Sequence, residues 1–224
     1  MSIFIVVPAY NEEKRIVDVI KDLKDNKYNN IIVVDDGSKD DTSIIAEREG
    51  ITVLKHVINR GQGAALQTGI SYALDNGAEY IVTFDADGQH RASEIKNLLD
   101  PVKEGVVDVT LGSRFLEINE EMPRGRSILL KGSTIIDWIF SGGQRLTDAH
   151  NGFRVLSRNA AKGIQITEDG MTHASEIIQK IKTNNLKFKE IPVNIRYSKE
   201  TMGKGQSALH SVNILFRLIF RRLL

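Results

Sequence analysis

The chain has 224 residues, enough for one sizeable α/β core or for a core with a small appendage. Its formal net charge of +1 excludes the strong basic field that is typical of nucleic-acid binding, so no nucleic-acid partner is expected. The absence of cysteine excludes disulfides and thiolate metal sites and agrees with a reducing compartment.

The amino terminus favours a first strand over a signal peptide, because it is apolar for only a few residues and has no basic segment before them. The sequence also lacks the run of about 20 apolar residues that a membrane-spanning helix needs. We therefore expect a cytoplasmic protein, with any membrane contact peripheral on the cytoplasmic face.

Short apolar runs alternate with helical periodicity along the first half of the chain. The runs at residues 3–7, 31–34, 53–54, 80–84 and 107–111 are typical of strands, and amphipathic stripes at 16–23, 66–74 and 95–102 are typical of helices. This order predicts an α/β fold with a mostly parallel, Rossmann-like central sheet and helices on both faces.

After residue 112 the alternation of strand-like and helix-like segments becomes less regular. We expect helices at 127–140 and around 177–181, and strands entered from the TDAHNGFRVLSR segment and at 188–195. No Pro/Gly/Ser linker separates these elements. The sequence thus predicts one domain over 1–205, followed by a C-terminal amphipathic helix over 206–224.

Polar, acidic and glycine-rich segments follow the predicted strands. They read PAYNEE from Pro8, DDGSKDD from Asp35, HVINRGQG from His56 and DADGQH from Asp85. Ligands of open α/β sheets bind at the carboxyl ends of the strands. The pattern therefore predicts an active site at that edge.

Asp85, Asp87 and Gln89 alternate directly after an apolar run. If the backbone stays extended there, their side chains share one face. Oxygen ligands in a partial set suit Mg²⁺ or Mn²⁺ and leave coordination positions for phosphate oxygens. The alternative is that the carboxylates only cap or solvate a loop that turns at Gly88.

Two further strand ends have ligand-binding candidates. Asp36 could accept a hydrogen bond from a nucleobase or ribose, although Ser38 and the following acids could also serve to begin a helix. Arg60 stands in a glycine-rich segment and is a candidate partner for diphosphate or ribose. Its alternative is a simple turn that opens a helix. Dinucleotide and Walker fingerprints are absent from the sequence.

Six motifs in order resemble those of family-2 glycosyltransferases, which have the GT-A fold. They are VVPAYNEE, VDDGS, NRGQGAAL, FDADGQH, GSRF and D-x-x-x-GFR, and the resemblance spans residues 3 to about 207. The greatest likeness is to the branch of dolichyl- or polyprenyl-phosphate sugar synthases. The resemblance implies an inverting transfer of a hexose from a UDP- or GDP-sugar to a polyprenyl phosphate.

The resemblance also implies roles for matching residues. Nucleotide-binding positions are Pro8, Tyr10, Glu12, Asp36 and Asp85, with Arg60 added from the pattern above, and the metal positions are Asp85, Asp87 and Gln89. Catalytic positions are Arg114 and Arg126 near the acceptor phosphate and diphosphate, and Asp148 on the acceptor side.

The chemistry of the acceptor decides whether a general base is needed. A polyprenyl phosphate is already anionic at neutral pH, so positioning by Arg114 and Arg126 would suffice. A sugar hydroxyl needs a base, for which Asp148 is the first candidate. His150, His173 and Glu176 are further candidates near the acceptor, each with a structural alternative.

The segment LHSVNILFRLIFRRLL near the C-terminus mixes apolar residues with three arginines. Such a segment suits an interfacial helix on anionic lipid, and packing on the core or on a second subunit is the alternative. Two rival functions also stay open at this point. One is a glycosyltransferase that acts on a sugar hydroxyl in polysaccharide or glycolipid synthesis, and the other is a non-catalytic sugar-nucleotide binding protein.

Overall fold

The computed structural model describes residues 1–116 and 146–196. Within these ranges seven strands form one sheet and six α-helices pack against it. The strands are β1 (Ile3–Ala9), β2 (Ile31–Asp35), β3 (Thr52–Lys55), β4 (Tyr80–Thr83), β5 (Val109–Ser113), β6 (Arg154–Ser157) and β7 (Phe188–Pro192). The helices are α1 (Ile16–Asp25), α2 (Thr42–Arg48), α3 (Gln62–Asp75), α4 (Ile95–Lys103), α5 (Arg158–Gly163) and α6 (His173–Thr183), and a 3₁₀ turn (Ala92–Glu94) leads into α4.

The strand order across the sheet is β3-β2-β1-β4-β6-β5-β7. Every strand runs in the same direction except β6, which is antiparallel to both of its neighbours, β4 and β5. The carboxyl ends of six strands and the amino end of β6 therefore lie together. This side of the sheet is called the carboxyl edge below.

Both faces of the sheet are buried. Ile5 and Val7 pack on one face with the apolar residues of α1 and α4, while Val6 and Val34 pack on the other with α3, α5 and α6. Burial on both faces explains why β1 and β2 are almost continuously apolar rather than alternating.

The mostly parallel sheet with helices on both faces, expected from the sequence, is confirmed. All five strands expected before residue 116 are present, with ends that differ by at most two residues. One local expectation is wrong. Ser38 does not begin a helix, because α2 starts at Thr42, and the Ser38 hydroxyl instead accepts a hydrogen bond from the Asn11 N–H at 2.9 Å.

Some expectations lie outside the described residues. They are Arg126, the helix at 127–140, the C-terminal amphipathic helix and the boundary between 205 and 206. The proposed division of the chain therefore stays a prediction.

Helix α3 lies unusually close to the centre of the sheet at Gly69. A β-carbon on this residue would lie 2.3 Å from Cγ1 of Val6, and Val6 is completely buried in β1. Since interiors are packed at crystal-like density, Val6 has little room to move. Gly69 thus sets the distance between α3 and β1, and with it the position of the loop that precedes α3.

We expect Gly69→Ala to lower the free energy of unfolding by about 1–3 kcal/mol through overpacking. Helix propensity alone would give the opposite sign, since alanine is favoured over glycine by about 1 kcal/mol. Urea denaturation measures the difference. In a Val6→Ala background the same substitution should become neutral or stabilising, because the clashing methyl is gone. An increase in stability in the wild-type background would contradict this account.

Candidate active site

A cavity of about 380 Å³ opens at the carboxyl edge. Its walls come from the ends of β1, β2 and β4 and from the first turn of α3, elements that are distant in sequence and adjacent in the sheet. The lining residues are Pro8, Ala9, Tyr10, Glu12, Asp36, Asn59, Gly61, Gln62, Ala65, Asp85, Ala86 and Asp87. Six of the residues expected from the sequence to bind nucleotide or metal therefore meet in one cavity, whereas Arg60 and Gln89 are not among its lining residues.

The loop after β1 and the loop after β2 are held together by hydrogen bonds. The Glu12 N–H donates to the Thr42 hydroxyl at 2.8 Å, and the Lys39 N–H donates to the Asn11 side-chain oxygen at 2.8 Å. Asn11 has a left-handed backbone with φ of 55°, which asparagine tolerates better than most residues. These contacts fix the two loops that form one wall of the cavity.

Asp85 is held by one side chain from the start of α3 and by one from its own loop. Oδ1 accepts a hydrogen bond from the Gln62 amide at 3.0 Å, and Oδ2 accepts one from Nε2 of His90 at 3.0 Å. The His90 ring packs against Phe84 and Phe153, with ring centroids 5.4 Å and 4.9 Å away. Asp85 therefore has a fixed orientation while 28% of its side chain stays exposed.

The loop before β6 passes directly beneath Asp85 and depends on a glycine there. A β-carbon on Gly152 would lie 2.4 Å from Oδ2 and 2.5 Å from Oδ1 of Asp85. The Gly152 carbonyl also accepts a hydrogen bond from the Thr83 hydroxyl at 2.5 Å. Any side chain at position 152 would therefore push on the Asp85 carboxylate.

Asp85 and Asp87 influence each other electrostatically. Burial alone would raise the pKa of Asp85, but the hydrogen bond from His90 and the attraction of His90 and Arg154 together lower it below its usual value. Burial, and then the negative charge of Asp85, raise the pKa of Asp87. Two neighbouring carboxylates resist simultaneous ionisation because their negative charges repel each other. A cation bound between them would offset this repulsion.

The chain does not stay extended from Asp85 to Gln89, so the condition under which the side chains of Asp85, Asp87 and Gln89 would share one face is not met. Strand β4 ends at Thr83, the chain turns at Ala86 and Asp87, and Gly88 has a φ of 74°. The Gln89 N–H donates to the Asp87 carboxylate at 3.0 Å. Alternation of side chains therefore does not apply, and Asp85 and Asp87 reach the cavity through the turn.

The donor set at this turn fits a hard divalent cation. Carboxylate oxygens are ligands that Mg²⁺ and Mn²⁺ accept, and Mg²⁺ is commonly held by one or two carboxylates together with substrate phosphates. Among residues 1–116 and 146–196, no group of three or more acidic, histidine or cysteine side chains is arranged to hold a metal. A pair such as Asp85 and Asp87 suits a cation that shares its coordination with a ligand's phosphates.

Asp36 lies in the same cavity and is 3% exposed. Its carboxylate accepts hydrogen bonds from Nδ1 of His56 at 2.7 Å, from the Arg60 N–H at 3.0 Å and from the Gly61 N–H at 2.6 Å. Gly37 allows this loop to approach, since a β-carbon there would lie 2.7 Å from the Ile58 carbonyl carbon. The loop at 56–61 is thus folded around the Asp36 carboxylate.

Backbone N–H groups at the glycine-rich start of α3 are hydrogen-bonded within the protein, so they are not open to a phosphate. The N–H groups of Gly63 and Ala64 donate to the Asp169 carbonyl at 2.8 Å and 3.3 Å, and the Arg60 guanidinium pairs with the Asp169 carboxylate at 3.2 Å. This geometry favours the simpler alternative for the segment, a turn that opens a helix, and it directs Arg60 towards Asp169, with half of its side chain exposed.

Arg114 and Asp148, expected as separate catalytic residues, form one buried ion pair. Nη2 and Nε of Arg114 lie 2.6 Å from Oδ1 and Oδ2 of Asp148, and the Arg114 N–H donates to Oδ2 at 3.1 Å. Glu190 holds the loop in place by accepting the N–H groups of Thr147 and Asp148. Bidentate pairs of this kind are strong and directional.

Arg154 is a buried cation behind the cavity. It is 2% exposed, Nη2 donates to the Ala149 carbonyl at 3.3 Å, and Nη1 finds no hydrogen-bond partner among the described residues. Burial lowers its pKa to about 10, against the opposing attraction of Asp85 and Asp148. Its positive charge is one of the causes that lower the pKa of Asp85.

Two other candidates for acceptor chemistry have structural roles. Burial, and then the charge of Arg154, lower the pKa of His173 to about 4, and its Nδ1 lies 2.8 Å from the Gly170 carbonyl. The Glu176 carboxylate accepts the N–H groups of Thr167 and Glu168. A neutral, buried histidine and a loop-binding glutamate are poor choices for a base.

Sequence reasoning missed three contributors to the site, namely Gln62, His90 and Gly152. His90 follows Asp85 closely enough to have been considered, and Gly152 belongs to the GFR motif. Their contacts with Asp85 are tertiary, however, and no periodicity in the sequence signals them.

Comparison with known proteins agrees with this architecture. The family model described as Glycosyl transferase family 2 matches residues 4–165. An uncharacterized protein of Methanocaldococcus jannaschii is 42% identical over 99% of this chain and 93% of its own length. The UDP-N-acetylglucosamine--dolichyl-phosphate N-acetylglucosaminyltransferase of Methanococcus voltae is 33% identical over 99% of this chain and 96% of its own.

The fold is shared with a solved enzyme of low sequence identity. Glucosyl-3-phosphoglycerate synthase from Mycobacterium tuberculosis, crystallised with UDP, superposes with a TM-score of 0.72 at 19% identity, over 97% of this chain and 77% of that one. Within residues 1–116 and 146–196, no helix is long and apolar enough to cross a membrane. The extent of the family match and the relatives found lead to one assignment: the chain belongs to glycosyl transferase family 2, has the GT-A fold and has relatives among the dolichyl-phosphate sugar transferases.

Proposed function

We propose that this glycosyltransferase moves a hexose or N-acetylhexosamine from a nucleoside diphosphate to a polyprenyl phosphate, with inversion at the anomeric carbon. The observation that carries the proposal is the cavity in which Pro8, Tyr10, Asp36, Asp85 and Asp87 meet. It combines an aromatic side chain after β1 and a carboxylate after β2 with a pair of carboxylates after β4. A nucleoside diphosphate needs both kinds of contact.

In this proposal the two ends of the cavity have different tasks. Tyr10 and Asp36 would bind the nucleoside, and Asp85 and Asp87 would hold Mg²⁺ or Mn²⁺. When bound there, the metal would supply positive charge to offset the negative charge that develops on the departing nucleoside diphosphate. Gln62 and His90 keep Asp85 oriented for this contact, at 3.0 Å each, so little reorganisation is needed when the donor binds.

The hydrogen bonds that Asp148 accepts favour a phosphate acceptor over a sugar hydroxyl. Its two oxygens receive the guanidinium of Arg114 at 2.6 Å, the Arg114 N–H at 3.1 Å and the Asn151 amide at 3.3 Å. Three of these donors are on Oδ2 and one is on Oδ1, so the hydrogen bonds of the carboxylate serve chiefly to hold Arg114 and Asn151. A polyprenyl phosphate is already ionised and needs positioning rather than a base.

The acceptor phosphate would then lie near the Arg114–Asp148 pair, where Asp148 acts by orienting Arg114. Arg126 stays a proposed second phosphate ligand, and Gln89 a proposed member of the metal loop. The segment 206–224 remains the proposed contact with the cytoplasmic membrane surface, where a lipid-linked phosphate would be met.

The transfer reaction itself tests the acceptor. The full-length chain is incubated with Mn²⁺, radiolabelled UDP- or GDP-sugars and one of three acceptors: a polyprenyl phosphate, the corresponding polyprenol or a soluble oligosaccharide. We expect label in the organic phase with the polyprenyl phosphate only. The site has an arginine for the phosphate, and Asp148 is bound to that arginine instead of serving as a base for a hydroxyl.

Equal transfer to the polyprenol or to the oligosaccharide would contradict the phosphate acceptor and favour the hydroxyl alternative. Tight donor binding without turnover on any of these acceptors would favour a non-catalytic binding protein.

Gly152→Ala should disturb the donor site through Asp85. The added methyl overlaps the Asp85 carboxylate, so we expect metal-dependent nucleotide binding to weaken at least about tenfold, or about 1.4 kcal/mol, with a stability loss of about 1–3 kcal/mol. Isothermal titration with nucleotide and Mn²⁺ measures the affinity. Gly170→Ala is the matched control, because a β-carbon there meets nothing within 4 Å. Unchanged affinity in Gly152→Ala would remove Asp85 from the donor site.

A further inference from the structure

Asp36 has fewer acceptor positions left than a carboxylate normally offers. An ionised carboxylate has about four lone-pair positions. On Oδ1, Nδ1 of His56 at 2.7 Å and the Arg60 N–H at 3.0 Å occupy both positions. On Oδ2, the Gly61 N–H at 2.6 Å occupies one. With the donors that residues 1–116 and 146–196 supply, one acceptor position therefore remains, on Oδ2, and Asp36 lines the cavity.

The side chain of His56 is held so that its donor stays on Oδ1. The ring is 10% exposed, and Nε2 lies 2.9 Å from the Thr68 hydroxyl on α3. Because an ionised carboxylate can only accept, Nδ1 must be the protonated nitrogen of this contact. Thr68 and Asp36 together fix the ring between them, so Oδ1 is not released without breaking two hydrogen bonds.

The nucleobases differ in how many adjacent donors they present to a carboxylate. Uracil presents one ring N–H between two carbonyl groups. Guanine presents a ring N–H and an amino group side by side, and needs both oxygens of a carboxylate to satisfy them. Adenine and cytosine present an amino group beside a ring nitrogen that is itself an acceptor, which a carboxylate repels. A donor left unpaired in a buried site is costly.

We propose that Asp36 selects a uridine nucleotide over a guanosine nucleotide, and that His56 is the residue that sets this preference by filling Oδ1. This inference rests on the proposed function, since it requires the base of the donor to lie against Asp36. It narrows the donor to the uridine diphosphate sugars and gives His56, which is not among the residues that line the cavity, the role of a positioning residue.

Titration of the wild-type protein with three nucleotides in the presence of Mn²⁺ tests the selection. They are UDP, 3-methyl-UDP, in which the ring N–H is replaced by a methyl group, and GDP. We expect UDP to bind at least about tenfold more tightly than either of the others, a difference of about 1.4 kcal/mol. GDP or 3-methyl-UDP binding as tightly as UDP would overturn the selection while leaving the donor site itself intact. Absence of binding by every nucleotide would overturn both the selection and the proposed function.

A pair of variants tests the role of His56. His56→Leu removes the donor to Oδ1, so the ratio of GDP to UDP dissociation constants should fall several-fold. His56→Asn keeps a side-chain N–H and should retain the wild-type ratio. A merely structural role would weaken UDP and GDP in parallel, and an unchanged ratio in a folded His56→Leu protein would overturn the assignment. If His56→Leu does not fold, the comparison of UDP with 3-methyl-UDP on the wild-type protein still decides the selection.

Discussion

The meeting of acidic strand ends at one edge of a parallel sheet is the constraint on which this site depends. Parallel strands bring the loops that follow β2 and β4, which contain Asp36 and Asp85, to the two sides of β1. Within the second loop the negative charges of Asp85 and Asp87 need compensation, since the charge of Asp85 helps to raise the pKa of Asp87. Arg154, buried behind them, and the hydrogen bonds from His90 and Gln62 supply part of it. A divalent cation shared with a diphosphate would supply the rest.

The loops around these carboxylates are stabilised before any ligand arrives. The loop at 56–61 is wrapped around Asp36, the start of α3 is covered by the Asp169 carbonyl, and Gly152 lets the loop before β6 press against Asp85. Preorganisation of this kind reduces the ordering cost of binding. It also means that the N–H groups of Gly63 and Ala64 at the start of α3 are already bonded to the Asp169 carbonyl, so in the proposed function the charge of a diphosphate would be met chiefly by a cation and by arginine.

Much of the fold and part of the site could be predicted from the sequence, because apolar periodicity fixes the strands and the sheet topology then brings their ends together. Pro8, Tyr10, Glu12, Asp36, Asp85 and Asp87 were expected together and do share a cavity. Arg60 could not be placed, because its direction is set by Asp169, 109 residues away. The turn at Ala86 and Asp87 that replaces an extended backbone before Gln89 was not predicted, and the role of Gln89 stays a prediction. The pairing of Arg114 with Asp148 depends on a loop geometry that no spacing encodes.

Metal-dependent nucleotide binding by the wild type, Asp87→Ala and Asp25→Ala tests the central claim most directly. Asp25 is an exposed carboxylate at the far end of α1 and controls for loss of charge. Midpoints of thermal unfolding are compared with UDP alone, Mn²⁺ alone and both together, since a ligand of the native state raises the midpoint by mass action. We expect a rise with UDP and Mn²⁺ together in the wild type and in Asp25→Ala, and its loss in Asp87→Ala. An equal rise in Asp87→Ala, or a rise that does not depend on Mn²⁺, would contradict a donor site built on this pair of carboxylates.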